Sequence, residues 1–276
     1  MSDGALRLRE VRGPSALGGG WRRSLELLYL MASTEFKRTY FGTVLGYVWS
    51  LCRPLLLFAV LLAVFTHVVR LGRLVPHYPV LLLLNIVLFG FFQEATATAV
   101  GSVVNQEAVV RKTQFPRLVI PLAVVLTSAF NLGLNVLVAF AFILGFGVSP
   151  MWTWLLLPVL LAWLLILTTA VAMILSSLYP RFRDVGIIWA VGSTALFYAT
   201  PVLYPLQRIS GTIGRIVALN PLTPVFELAR RWIIQPDAPL AASTVDVVVP
   251  AAISVAICGL AVWIFTREAP RIAEEL

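Results

Sequence analysis

The sequence predicts an all-α membrane protein with six transmembrane helices, an N-terminal amphipathic interface helix, and outer re-entrant helices between spans five and six. Three observations carry that expectation. Of 276 residues, 59% are hydrophobic and 12% are charged, too little charge to cover a soluble domain of this size. The apolar residues fall into runs long enough to cross a bilayer, separated by short polar islands. The basic residues gather in alternate islands, as the positive-inside rule requires of a polytopic chain.

Residues 1–20 are polar, Gly-rich and basic, with no apolar core suited to a cleaved signal peptide. They read as a mostly disordered cytoplasmic tail. Residues 21–42 are different. Leu25, Leu28, Met31, Ala32 and Phe36 recur at helical spacing, while Arg22, Arg23, Glu26, Glu35, Lys37 and Arg38 fall mostly on other faces. Such a helix either lies in the inner headgroup layer or packs as a plain amphipathic helix on protein.

Residues 43–276 form the six-span domain. The first span, about 43–69, is interrupted by Arg53-Pro54. A charge at the bilayer centre costs roughly 3 kcal/mol, so Arg53 is expected near the inner interface. The second span, about 80–104, is ~38 Å long at 1.5 Å per residue, enough to cross a ~30 Å core with tilt. It contains Gln93 and Glu94 after Phe89, Phe91 and Phe92. An acid at this depth either faces protein or water for a functional reason or pairs with an Arg of another span. The third span, about 118–146, carries Asn131 and Asn135 one turn apart on one face. The fourth, about 152–178, opens with Trp152 and Trp154. The island YPRFRD leads into the fifth span, about 185–204, which ends in Phe197, Tyr198, Pro201, Tyr204 and Pro205. Residues 207–237 are too polar to cross again and too apolar for a free loop. They read as two short re-entrant helices broken at Asn220-Pro221, or as an outer surface cap. The sixth span is about 245–266.

Fourteen basic residues fall on the side of the termini: Arg7, Arg9, Arg12, Arg22, Arg23, Lys37, Arg38, Arg111, Lys112, Arg117, Arg181, Arg183, Arg267 and Arg271. Six fall on the other: Arg70, Arg73, Arg208, Arg215, Arg230 and Arg231. Both termini are therefore expected in the cytoplasm. The net charge of +8 reflects this topology rather than a nucleic-acid partner, since aromatics interleaved with basic stripes are absent. Cys52 and Cys258 sit in apolar segments and read as small buried hydrophobes. His67 and His77 lack a cluster of further ligands, so neither metal nor cofactor is expected.

The island that organises the chain reads NQEAVVRKTQFPRLVIP, from Asn105 to Pro121. Pro116 and Pro121 bracket the start of the third span, and a break is expected near Gln114–Phe115. Taken alone, it is a short cytoplasmic helix or an ordinary positive-inside loop. In order, Asn105, Val109, Val110, Arg111, Lys112, Phe115, Pro116, Arg117 and Pro121 resemble the segment between spans two and three in type-2 ABC exporter membrane subunits for polysaccharides, the O-antigen and teichoic acid exporters. Further likenesses are Leu45, Gly46, Trp49 and Pro54 in the first span, the aromatic-Arg-Asp island, and the NP-hydrophobic-x-P corner at Asn220 to Pro224.

The resemblance implies a division of labour. Asn105, Glu107, Arg111, Lys112, Phe115, Pro116 and Arg117 would dock into a groove of an ATPase subunit; Arg181, Arg183 and Asp184 of the second island would either touch it as well or only anchor the chain inside. Asn220, Pro221, Pro224 and Arg230 would form an outer gate. Phe89, Phe91, Phe92, Glu94, Tyr198 and Tyr204 are candidates for the substrate path, where aromatic faces stack on sugars; packing or interface anchoring explains a single aromatic equally well. The assembly implied is a homodimer with two ATPase subunits in the bacterial inner membrane, in contact with its lipids. It would move a lipid-linked polysaccharide of O-antigen, teichoic acid or cell-wall galactan type, and the composition leans to galactan. The chain itself is expected to be no enzyme. A P-loop needs Gly-Lys before Ser or Thr, whereas Lys37 follows Phe36 and Lys112 follows Arg111. The alternatives are a type-2 ABC exporter of a small lipid or drug, and a membrane glycan-assembly enzyme. The enzyme reading is weakened by Glu94 being the one clear intramembrane acid.

Overall fold

The computed structural model describes residues 21–40, 46, 48–70, 75–107, 117–209, 211–234 and 244–268, which are helical with short connections and contain no strand. The tail at 1–20 and the central island residues 108–116 lie outside the described residues. Helix α1 is Trp21–Tyr40. Helix α2, Val48–Ala63, continues as a π-helical turn over Val64–Val68. Helix α3, Tyr78–Val100, is followed after Gly101 by one further turn, Ser102–Asn105. Helix α4 is Val119–Gly145. Helix α5, Leu157–Leu178, is entered through a 3-10 turn at Trp152–Leu156. Helix α6 is Val185–Ala199.

Two short helices come next. Helix α7 is Gly211–Ala218, and α8 is Thr223–Ala229, which runs into a π-helical turn over Arg230–Ile234. Helix α9 is Thr244–Glu268. Among the described residues, five segments are long and apolar enough to cross a membrane: Val48–Val68, Tyr78–Val100, Val119–Gly145, Trp152–Leu178 and Val247–Glu268. These make the chain a multi-pass membrane protein.

The bundle is built around α3. It is mostly apolar and carries no continuous polar stripe, and 78% of its spanning window is buried inside the chain, against 6% for Val48–Val68 and 17% for Val247–Glu268. A helix without a polar stripe is stable only when enclosed by protein or lipid. Here α4 and α5 pack along α3, with α9 on the far side of α5 and α2 on its own side. Leu81 to Leu84, Leu88, Phe89 and Phe92 form the centre of the core. Helix α1 lies against α4. Ala32 is fully buried there, and Thr127 donates from Oγ1 to its carbonyl at 3.2 Å. Tyr29 and Phe36 meet Phe130 edge-on at 6.3 and 5.8 Å. Leu25 and Leu30 remain exposed. The amphipathic helix thus has a protein-packed side and an exposed apolar side.

The fifth apolar segment differs from expectation. It was expected to span about 185–204, but the helix stops at Ala199 after 15 residues, a rise of only ~22 Å. The cause is Pro201. A proline disfavours helical geometry in the residue before it, and Thr200 is extended at φ −106°, ψ 146°. The chain then runs irregularly to the 3-10 turn Leu206–Arg208.

Candidate functional site

Irregular backbone inside an apolar bundle must find its hydrogen bonds from side chains. After α6 those donors come from α3. Asn85 Nδ2 donates to the carbonyls of Pro201 and Val202 at 3.2 and 3.0 Å, and the Tyr78 hydroxyl donates to Leu203 O at 3.0 Å. Both side chains are buried. The corner at 220–224 closes on the same strand of chain. Asn220 Nδ2 donates to Thr200 Oγ1 at 2.8 Å, and Asn220 Oδ1 accepts from the Leu222 amide at 3.0 Å. That second bond is an Asx turn, which suits a residue that must redirect the chain. Pro224 is buried in the first turn of α8, where its missing N–H costs nothing. The sequence-predicted gate corner and the end of the fifth segment are therefore in direct contact. Tyr204 folds back to donate to Tyr198 O at 2.7 Å.

Behind the corner sits a charged clip. Arg230 and Glu227 pair at 2.8 Å with side chains only 7% and 10% exposed. The second carboxylate oxygen of Glu227 accepts from the Leu206 amide at 3.0 Å. One acid thus joins α8 to the 3-10 turn Leu206–Arg208. The π-helical turn that follows is held from outside: Thr153 donates to Trp232 O, and Trp154 Nε1 donates to Ile233 O at 3.2 Å. A side chain could not be added at Gly214 without meeting Ile209 O, which lies 2.4 Å from the Cβ position.

A second polar network crosses α3 and α4. Asn131 Nδ2 donates to both oxygens of Glu94, at 3.3 and 3.1 Å. Asn135 donates to the carbonyl and side-chain oxygen of Asn131 at 2.9 and 3.1 Å. The one-turn spacing of the two asparagines makes this chain possible. Among the described residues, the hydrogen bonds that hold Glu94 come from an amide. Close by, Trp189 Nε1 of α6 donates to Thr96 Oγ1 at 3.1 Å, tying α6 to α3.

The phenylalanines among the path candidates lie inside the bundle. Phe89, Phe91 and Phe92 are at most 4% exposed. Phe89 packs against Phe197 at 5.1 Å and Phe226 at 6.4 Å, and Phe92 against Trp189 at 6.1 Å. Tyr198, by contrast, is 60% exposed.

The YPRFRD island lies at one end of the bundle, beside the described start of the first island. Gly186 is approached by the Tyr179 ring, 3.1 Å from its Cβ position, and by Val100 of α3 at 3.7 Å. This close packing brings the YPRFRD island beside the end of α3. Within the island, Arg183 lies over the Tyr179 ring at 5.1 Å and Arg181 over Phe182 at 5.2 Å. Asp184 is exposed at the start of α6, Asn105 is exposed, and Glu107 and Arg117 are half-buried. Arg111, Lys112, Phe115 and Pro116 lie outside the described residues.

This end and the opposite corner both fall within residues 26–233, which match the family model of the ABC-2 type transporters. The chain belongs to the ABC-2 type transporter family. Its relatives include two O-antigen export system permease proteins RfbA of Klebsiella pneumoniae. One is 29% identical over 198 residues and the other 31% over 199, each alignment covering 71% of this chain and 76% of the relative. A third, the O-antigen export system permease protein RfbA of Myxococcus xanthus, is 30% identical over 198 residues, 71% of this chain and 75% of the relative.

Seen as an ABC-2 transporter, the chain holds polar positions that sequence reasoning passed over. Asn85, Tyr78 and the Thr96–Trp189 pair decide how α6 ends and where it lies. Asn85 carried a readable signal, a lone amide in the run VLLLLNIVLFG. Tyr78 and Thr96 carried none, because their partners are more than 90 residues away.

Proposed function

We propose that this chain is the membrane subunit of an ATP-driven exporter that moves a lipid-linked polysaccharide out of the cytoplasm across the inner membrane. The observation that carries the reading is the family match joined to about 30% identity over 71% of the chain with three O-antigen export permeases. That similarity favours a glycan over a small lipid or drug as substrate. The energy comes from a separate ABC ATPase, present in two copies and docked at the end that carries residues 101–107 and 179–184. Asn105, Glu107, Arg111, Lys112, Phe115, Pro116 and Arg117 form the docking segment, and Arg181, Arg183 and Asp184 flank it.

The working unit is a homodimer with both termini cytoplasmic. Support comes from the apolar faces that a single copy leaves bare: Leu56 and Val60 of α2, and Ile187, Ile188 and Val191 of α6, are 62–69% exposed. The glycan passes between the copies. Tyr198 and Tyr204 offer stacking faces beside it, Phe89, Phe91 and Phe92 support those faces from within, and Glu94 with its asparagines gives a polar position at membrane depth. The corner at Asn220, Pro221 and Pro224, backed by Arg230, is the outer gate. Composition favours a cell-wall galactan as the cargo. Depletion of the chain in its host, followed by extraction of lipid-linked glycan, tests the reading. The glycan should accumulate on the cytoplasmic side and be relieved by the wild-type chain. A small lipid or drug accumulating in its place would favour the other exporter class.

A further inference from the structure

A cleft of about 380 Å³ lies between α3, α5, α6 and α9, beneath the corner at 220–222. Its walls include Leu167 and Val171 of α5, Trp189 and Leu196 of α6, Ile216 of α7, and Pro221. The wall is almost wholly apolar. The polar groups nearest it are already bonded elsewhere: Asn220 to Thr200 and Leu222, and Trp189 to Thr96. Nothing in the wall asks for a polar ligand, and the size falls within the roughly 300–1,000 Å³ of small-molecule sites.

The shape narrows the choice. From Trp189 to Ala199, both lining residues, α6 rises ~15 Å. That is half of the ~30 Å hydrocarbon core, the depth of one leaflet. The mouth at the corner continues into exposed apolar residues, Ile213 at 67% and Ile216 at 63%. Arg215, also exposed, is the residue before Ile216 on the same helix.

We propose that this cleft holds one acyl chain of an anionic phospholipid of the outer leaflet, with the headgroup phosphate near Arg215. The inference rests on the membrane placement given above and is independent of what is exported. A lipid wedged between α6 and the corner would set how far the two separate, and so would act on the gate.

The test uses the full chain in native membranes and phosphatidylglycerol with a diazirine near the end of one acyl chain. Adducts should fall on 189–199 and 216–221. Unlabelled phosphatidylglycerol in excess should suppress them several-fold, a measurement that needs no variant. Leu196→Trp, which fills the cleft, should cut labelling at least five-fold, whereas Val255→Trp, on an exposed position of α9 away from the cleft, should not. Arg215→Glu should abolish the preference over a zwitterionic probe. Non-saturable labelling, labelling no stronger than at the exposed Val255 and Val262 of α9, or labelling undiminished by Leu196→Trp would overturn the proposal. So would labelling by a diazirine polyprenyl phosphate alone, or an Ile216→Cys disulfide between two copies showing that a partner covers the mouth. None of these results depends on export, so a failure here leaves the transport reading intact, and the converse holds.

Discussion

Asn85 is an amide in the most buried helix of the chain, and its two donor hydrogens go to consecutive carbonyls of a segment that has lost its helix. Asn85→Leu would keep the volume and strand those carbonyls. An unsatisfied buried group costs about 1–3 kcal/mol, so the thermal midpoint in detergent should fall clearly, with α6 and the corner loosening first in hydrogen exchange. An unchanged midpoint would mean that other donors reach Pro201 and Val202. Glu94 invites a different test. Its carboxylate is held by Asn131, which is itself held by Asn135. Glu94→Leu should express normally and reduce export, and full export in that variant would make Glu94 a structural bystander. The acid itself was legible in the sequence, because a charge within an apolar run stands out. Its partner was not. The one-turn spacing of Asn131 and Asn135 marked a polar face, but which helix meets that face is fixed by the packing of α4 on α3, which leaves no mark in local periodicity.

At the scale of elements, α3, α4, α5 and α9 were legible as long apolar runs, since each is a helix whose length and hydropathy suit a membrane crossing. The fifth segment was misjudged because aromatic and apolar residues continue past Pro201, while the backbone geometry that proline imposes stops the helix at Ala199. The two short helices were legible as helices broken at Asn220-Pro221. Their anchorage through Glu227, Arg230 and Leu206 was not, because those contacts join residues that no periodic pattern relates. The paired charges Arg111 and Lys112 belong to this scale too, as part of the proposed docking element. Changing both to Glu should leave membrane insertion intact and abolish co-purification with the ATPase, with export falling at least ten-fold. Retained co-purification with normal transport would remove the segment from the coupling role.

For the whole molecule, the tight packing of Tyr179 and Val100 on Gly186 sets the YPRFRD island beside the end of α3 at one end of the bundle, and a proline-bearing corner lies at the end of α6. The two ends are joined by α3, whose near-complete burial makes it the rigid centre. In the proposed dimer, movement imposed at the islands would reach the corner as a shift of α6 against α3. A cysteine pair placed across the dimer at 220–224 should therefore crosslink in the resting state and block export. Crosslinking without effect on export would make the corner a structural cap.

The central claim is ATP-driven movement of a glycan carried on a lipid, and inverted membrane vesicles holding the full chain and its ATPase measure it most directly. With radiolabelled lipid-linked polysaccharide on the outside and ATP added, labelled glycan should become protected in the lumen, and the Arg111→Glu/Lys112→Glu variant should show no such protection. Protection that is equal without ATP, or absent in wild-type vesicles while the ATPase remains bound and active, would contradict the account.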